Sequence, residues 1–394
     1  MHWPLVSLGE IFDIGRGGSP RPIDTYITDD PEGINWVSIS DASSSSKYID
    51  RTKRRIRAEG ASRSRAVNPG DFLLTNSMSF GRPYIMRTSG CIHDGWLALG
   101  KKREGIDHDF FFHLLGSDAV YSEFARLAAG VTVKNLNIDL VKGVRVPVPP
   151  VAEQRRIAEV LDRAETLRAQ RRQALAQLDA LGESTFLSLL NDPASAPWAR
   201  PTIGEMATTM RTGPFGSQLL HSEFVESGIA VLGIDNVVQN RFVWARPRYI
   251  TESKFSQLER YRVEAGDVLI TIMGTCGRCA IVPDDVPLAI NTKHLCCIRL
   301  DQQRCLPTYL QATLLRHPEV LYRLGVHERG AVMPGLNMQL IRDLEIPLPP
   351  LVVQRRFEAA MRSVSDQQQS MTESLEQLDA LFTSLQHRAF RGEL

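Results

Sequence analysis

A chain of 394 residues with 43% hydrophobic and 23% charged side chains has the make-up of a soluble globular protein of two to three domains. The formal net charge of +1 excludes a polycation drawn to any nucleic acid, so binding of that kind must come from local basic patches. No run approaches the roughly 20 apolar residues that span a bilayer, and five of the six cysteines fall between Cys276 and Cys305, unlike a secreted disulfide framework. The start, MHWPLVSLGE, lacks a basic segment followed by an apolar run, which points away from secretion and toward the cytoplasm.

In chain order the dominant feature is an internal repeat of 195 to 200 residues. "WPLVSLGEI" from Trp3 is echoed by "WARPTIGEM" from Trp198, and "VNPGDFLLTNSMSFGRPYIM" from Val67 by "VEAGDVLITIMGTCGRCAIV" from Val263. "GVTVKNLNIDLVKGVRVPVPPVAEQRR" from Gly130 is echoed by "GAVMPGLNMQLIRDLEIPLPPLVVQRR" from Gly330, and "AQLDAL" from Ala176 by "EQLDAL" from Glu376. Each copy opens with a globular part, 1–150 and 192–350, in which β-rich runs such as "DFLLT", "DVLITI" and "CCIRL" are divided by Gly, Pro and Asp turns. Helix-like apolar segments follow ("DFFFHLLGSDAVYSEFARLA", "PTYLQATLLRHPEVLYRL"). Each globular part ends at a double proline, Pro149-Pro150 and Pro349-Pro350, which is tolerated at a first helical turn and predicts a helix start.

The segments after the prolines, 151–191 and 351–394, carry heptads. In the second, Phe357, Met361, Val364, Gln368, Met371, Leu375, Leu378, Phe382, Leu385 and Ala389 recur at alternating four- and three-residue steps; Ile157, Leu161, Ala164, Arg168, Arg171, Leu175 and Leu178 follow the same register in the first. Arg168, Arg171 and Gln368 interrupt the seam and either fix its register or weaken it. The alternative is a helix packed on its own globular domain. A helix of about 40 residues extends roughly 60 Å, and the link to Trp198 is short, so the second helix must run back antiparallel to pair with the first. The expectation is an α+β protein: two similar globular domains separated by an antiparallel coiled-coil spacer, with a pseudo-two-fold internal repeat suited to two unlike DNA half-sites.

These blocks resemble the repeated regions of Type I restriction–modification specificity subunits over essentially the whole chain. The resemblance is carried by "PVPPVAEQRR", "PLPPLVVQRR", the paired "QLDAL", the closing "FRGEL", "GPFGSQL" at Gly213 and the G-x-C-G-R turn at Gly274. It implies two target-recognition domains, each reading one half of a bipartite asymmetric site, with helices that set the spacing and dock two modification (methyltransferase) subunits, to which restriction subunits join. It also implies a chain with no catalytic site and no cofactor of its own, the partner subunits using S-adenosylmethionine, and ATP with Mg for restriction. The alternatives are a coiled-coil scaffold that reads no DNA, or the recognition part of a stand-alone restriction or methyltransferase enzyme.

Lys47, Arg51, Lys53, Arg54, Arg55, Arg57, Arg63 and Arg65 form a basic stretch fit to neutralise phosphates and reach guanine edges, or a solvated basic face. Glycine-rich turns at Arg16-Gly17-Gly18-Ser19, with Arg21 beyond, and at Arg211 to Ser217 bring backbone amides and a serine toward phosphates, or are plain tight turns. Arg82 and Arg278 hold the same place in the two copies and suit symmetric backbone contacts, with a structural salt bridge as the rival; Lys134 joins the candidates. Asn291, Lys293 and His294 align roughly with His93, Gly95 and Trp96, so this divergent pair is a candidate for base readout.

The chain offers no Asn/Asp-Pro-Pro-aromatic tetrapeptide, for Asn68-Pro69-Gly70-Asp71 is only an approach to one; it offers no phosphate-binding loop. Pro283-Asp284 with Asn291-Thr292-Lys293 imitates a nuclease motif but has Asn where a carboxylate belongs. Cys276-x-x-Cys279 with His294, Cys296, Cys297 and Cys305 loses zinc-like spacing after its first pair, and the first copy has Phe80 and Pro83 there, so buried thiols are the expectation.

Overall fold

The computed structural model describes residues 3–43, 47–76, 81–128, 136, 138–190, 198–325 and 335–394. The chain divides into two compact units, Met1–Arg172 with Glu373–Leu394, and Gln173–Thr372. The two double prolines precede helices Val151–Leu190 and Leu351–Arg391, of 40 and 41 residues. No helix among the described residues is long and apolar enough to cross a membrane.

The repeat of the sequence is a repeat of topology. In the first unit a sheet runs Phe12–Arg16, Trp96–Lys101, Phe72–Thr75, Pro83–Met86, Tyr48–Ile49, and in the second Ala207–Thr212, Leu295–Leu300, Val268–Thr271, Cys279–Ile281. The companion sheet runs Ile27–Thr28, Arg54–Ile56, Ile34–Val37, Gly90–Ile92, Arg65–Val67 in the first unit and Tyr249–Ile250, Ile229–Leu232, Ala289–Asn291, Arg262–Val263 in the second. Each companion sheet keeps one parallel pair at its centre, Cys91 beside Trp36 and Ile290 beside Val231. The first unit adds one strand at one edge of each sheet.

Local chemistry explains the repetition. Ser7 and Thr202 each cap a four-residue helix, and Glu10 and Glu205 return the bond to the cap amide at 3.0 and 2.7 Å. Asp71 and Asp267 each accept from the amide three residues back, at 2.8 Å, around Gly70 and Gly266, whose φ values of +94° and +80° suit glycine. Asp267 is 1% exposed and is paired by Arg299 through two 2.8 Å bonds; the first unit has Gly100 at Arg299's place. The half-buried Asp71 carboxyl is pushed upward by desolvation, with partial relief from the Asn68 amide and His108.

Each domain is joined to its helix by a buried glutamine. Gln154 accepts from the Asp107 amide at 2.9 Å and donates to the Pro149 and Gly105 carbonyls at 2.8 and 3.1 Å; Gln354 repeats this with Leu306, Pro349 and Arg304 at 2.8, 2.8 and 3.0 Å. Both side chains are fully buried. Ile157 and Leu161 enter the first unit's core beside Phe110 and Phe111, and Phe357 enters the second's beside Phe186 and Tyr309. Helix packing on its own globular domain and helix pairing therefore coexist.

Every heptad residue named from the sequence is buried or half-buried. In the first unit Arg156, early in the first long helix, donates to the carbonyl of Leu394 just beyond the end of the second, while Arg168, further on, binds Asp379 within it, so the pair is antiparallel there. The second unit repeats this with Asp179 against Gln368 and Phe186 against Phe357. Two of the three polar interruptions are matched: Arg168 binds Asp379 at 2.5 Å and also Glu165, with its guanidinium 4.4 Å from the Phe382 ring centre, while Gln368 binds Asp179 at 2.6 Å. Such groups reward one register and penalise a slip.

Lys47 lies inside the first unit. Its ammonium bridges Asp109 at 2.7 Å and Asp162 at 2.9 Å, Asp162 also meets His113 at 2.8 Å, and Tyr48 donates to Asp109 at 2.8 Å. Burial raises the Asp162 carboxyl, but the bonds from His113 and Lys47 outweigh it and hold it below its ordinary 3.8. Burial likewise disfavours the Lys47 charge, and the two aspartates reverse this to a net rise above 10.5.

Two outcomes follow for stability. Gln354→Met should cost about 2–4 kcal/mol in denaturant unfolding, because it orphans the buried Leu306 amide and two carbonyls while conserving volume; a change near zero would show that the weld is dispensable. Lys47→Met should cost about 1–2 kcal/mol, a figure reduced because both aspartates are 40% exposed. Since the folded Asp162 pKa is depressed, its contribution is present above the ordinary value and lost as pH falls through the lowered one. The gap between wild type and variant should therefore hold at neutral pH and close below about pH 4.

Candidate nucleic-acid interface

The basic stretch of the first repeat is broken up by its own strand. Within Arg54–Ile56, which pairs with both Ile34–Val37 and Ile27–Thr28, Arg54 is exposed, Arg55 is half-buried and Ile56 is buried. Arg55 donates to the Asp30 carbonyl at 3.5 Å and to that of Pro31, Arg63 donates to the Tyr26 hydroxyl at 2.9 Å, and Arg65 to the Arg16 carbonyl at 2.9 Å. Arg51, Lys53, Arg54 and Arg57 are exposed, the last at the start of the helix Ala58–Ala61. Lys47 leaves the group: its charge is spent on Asp109 and Asp162, not on the surface where it was expected.

The glycine turns exist because two backbones meet. A side chain on Gly17 would put its Cβ 2.1 Å from the His93 carbonyl oxygen, and one on Gly213 would meet that of Asn291 at 2.1 Å. Beyond the first turn, Ser19 donates to Asp94 at 2.8 Å, Arg16 donates to the Asp94 carbonyl at 3.0 Å, and Arg21 stands 3.7 Å from the Asp94 carboxylate. In the second repeat Ser217 is exposed in the single turn Gly216–Gln218, while Arg211 turns inward to the Arg262 carbonyl. The first repeat fills Arg211's place from another strand: Arg65's guanidinium lies where a Cβ on Gly15 would be, 2.1 Å away.

Ser19, Arg21, Trp36, Arg54, His93 and Asp94 line a cleft of about 300 Å³. The glycine turn and the basic strand, distant in sequence, meet here. His93 belongs to the divergent pair named from the sequence, whereas Asp94 carries no signal there, since an acidic residue does not point to an anion-binding face. Ser19's hydrogen bond holds the Asp94 carboxyl below its usual range, and burial pulls the His93 imidazole down against the opposing pull of Asp94.

Arg82 and Arg278 are equivalent in space: the amide of each donates to a threonine hydroxyl, Thr75 at 3.2 Å and Thr271 at 2.9 Å, and each side chain is exposed. Arg82 also borders a groove of about 980 Å³ within the first unit, with Lys47, His113, Asp162 and Phe382. These threonines correct the alignment of the divergent turn. Thr75 pairs with Trp96 and Thr271 with Leu295, so Lys293 stands at Asp94 and His294 at Gly95, one residue from the register expected. Asn291 then matches Ile92; it is fully buried and donates to the Leu295 carbonyl at 2.9 Å, so the base-reading role expected of it is replaced by an internal one. Lys293 and His294 are half-buried, and burial, then Lys293 and Arg248, push the His294 imidazole down. Lys134 lies outside the described residues.

The cysteines are buried thiols, as expected. Burial pushes Cys296 and Cys305 up to about 12, which keeps them protonated and unreactive.

Known proteins share this arrangement. The chain is 24% identical over 317 residues to the specificity subunit of the Type I restriction enzyme EcoBI of Escherichia coli, an alignment covering 72% of this chain and 65% of that one. It is 18% identical over 412 residues to the specificity subunit of the Type I restriction enzyme MjaVIII of Methanocaldococcus jannaschii, covering 100% and 93%. Among solved structures, a chain of a type I restriction–modification system superposes with a TM-score of 0.63 at 18% identity, covering 100% and 98%. The Type I system S subunit from M. genitalium does so with 0.58 at 15% identity, covering 99% and 96%. The model of the Type I restriction modification DNA specificity domain matches residues 2–178 and again 198–389, and the chain therefore belongs to that family, carrying its domain twice.

Proposed function

We propose that this chain is the DNA-reading subunit of a Type I restriction–modification complex, each repeat recognising one half of a bipartite, asymmetric duplex site. The observation that carries this reading is the pairing of one scaffold with two surfaces. Strand order, caps and helix joints recur, while at one equivalent turn the first repeat has Asp94 and the second Lys293. Two unlike half-sites call for such divergence on a common frame.

In this reading the exposed Arg51, Lys53, Arg54, Arg57, Arg82 and Arg278 neutralise phosphates, which position the domains without carrying sequence information. The long helices set half-site spacing and dock two modification subunits, and restriction subunits complete the complex. The chemistry belongs to those partners: S-adenosylmethionine for modification, and ATP with Mg for restriction. This chain contributes binding and register, in the cytoplasm where such a complex guards against foreign DNA. The antiparallel contacts of Arg168 with Asp379 and of Gln368 with Asp179 support a fixed register for that spacer.

The governing experiment is modified-base sequencing of DNA from cells expressing this chain with its modification subunit, and with each protein alone. A split methylated motif only with both supports the reading; none from a soluble complex opposes it. Exchange of residues 192–350 for another such domain should alter one half of the motif, and a change in both halves would refute modular reading. Arg51→Ala and Arg57→Ala should each lower the slope of log affinity against log salt by about 1 in the assembled complex. Lys47→Met should leave that slope unchanged, since its ammonium is already neutralised; an equal drop would place Lys47 on DNA.

A further inference from the structure

The cleft of the first repeat contains a carboxylate where an anion-binding face should have none. Asp94 gathers five groups: the Ser19 hydroxyl at 2.8 Å, the Arg21 guanidinium at 3.7 Å and the His93 ring at 3.9 Å on its carboxylate, and Arg16 at 3.0 Å and the Asn76 amide at 3.4 Å on its carbonyl. A negative charge beside phosphates opposes binding unless it performs a task that outweighs the repulsion. The fold does not supply that task, because the second repeat builds the same turn with Lys293. Nor does stability, for the Arg21 and Asp94 side chains are 84% and 46% exposed, and ion pairs so exposed contribute little.

We propose that Asp94 is a positioning residue for base readout by the first repeat, steering Arg21 onto the edge of a guanine in its half-site. The inference rests on the reading of this chain as a DNA-specificity subunit and names the residues that perform it. Arg21 faces the carboxylate through one nitrogen, 3.7 Å away, so its exposed guanidinium keeps donors for the O6 and N7 acceptors of guanine, a planar fork matched to a planar edge. Arg16 buttresses the turn by donating to the Asp94 carbonyl, and the Ser19 hydroxyl favours the carboxylate rotamer that faces Arg21. Trp36, 5% exposed, and Arg54 line the same cleft, the latter adding positive charge. At the matching turn of the second repeat, Lys293 and His294 present nitrogen groups and no carboxylate, so that repeat reads a different pattern.

The test is modified-base sequencing with wild type, Asp94→Asn and Arg21→Ala, each co-expressed with the modification subunit and checked for an unchanged melting midpoint. Both variants should relax the same single G·C position of one half-site, with discrimination there falling about tenfold or more, while the other half-site stays intact. An unaltered motif in both variants would overturn the inference, as would weaker methylation at every site with no change of motif, which marks a phosphate contact or a structural role. Absence of any motif from the wild-type complex would overturn the DNA reading and the inference together.

Discussion

A single buried amide in each repeat sets the geometry on which everything else depends. Gln154 and Gln354 each satisfy three backbone groups at the point where a globular domain meets a long helix, among them the carbonyl of the first proline of each pair, Pro149 and Pro349. A buried amide with every hydrogen bond made resists rotation, because any tilt leaves a polar atom unpaired in an apolar surrounding. The domain therefore leaves its helix at a defined angle, and a reading surface carried on that domain inherits the angle.

Around this shared joint the repeats have diverged in how they spend charge. The first ties its domain to the helix with Lys47, Asp109, Asp162 and His113, whereas at the matching step the second uses Thr308 against Glu358 at 3.0 Å. The first leaves Asp71 without an arginine and the second gives Asp267 two bonds from Arg299. A guanidinium covers one spot in both, reaching it as Arg65 in one and Arg211 in the other. Packing volume and hydrogen-bond closure are retained while the identity of the side chain that supplies them changes. This is how one scaffold tolerates two surfaces.

Exposure separates the residues that remain free for a partner from those already engaged. Most of the first repeat's basic stretch lies at the surface, yet several guanidiniums are tethered to carbonyls or to a tyrosine, which gives them defined directions at the cost of some donors. Ordered arginines suit recognition, since less freedom is lost when they bind. Asp94 adds a further instance, bound by Arg16 and Ser19 with Arg21 3.7 Å away.

The sequence by itself determined the repeat, the strands "DFLLT" and "DVLITI", the helix starts after the prolines and the heptad seam. These depend on local propensity and periodicity, which neighbouring residues carry in full. The equivalence of Arg82 and Arg278 was also legible, because each follows a glycine, Gly81 and Gly277, at the same place in the two copies. Only the tertiary structure decided that Lys47 is internal, that Asn291 supports a strand end, and that Lys293 is the counterpart of Asp94 rather than of Gly95. The reason is physical: whether a charged side chain meets water or a carboxylate depends on strands far away in the chain, and a one-residue register is settled by ladder pairing that no single segment contains. The same holds for the cleft itself, whose walls come from the glycine turn, the Arg54 strand and the His93–Asp94 turn.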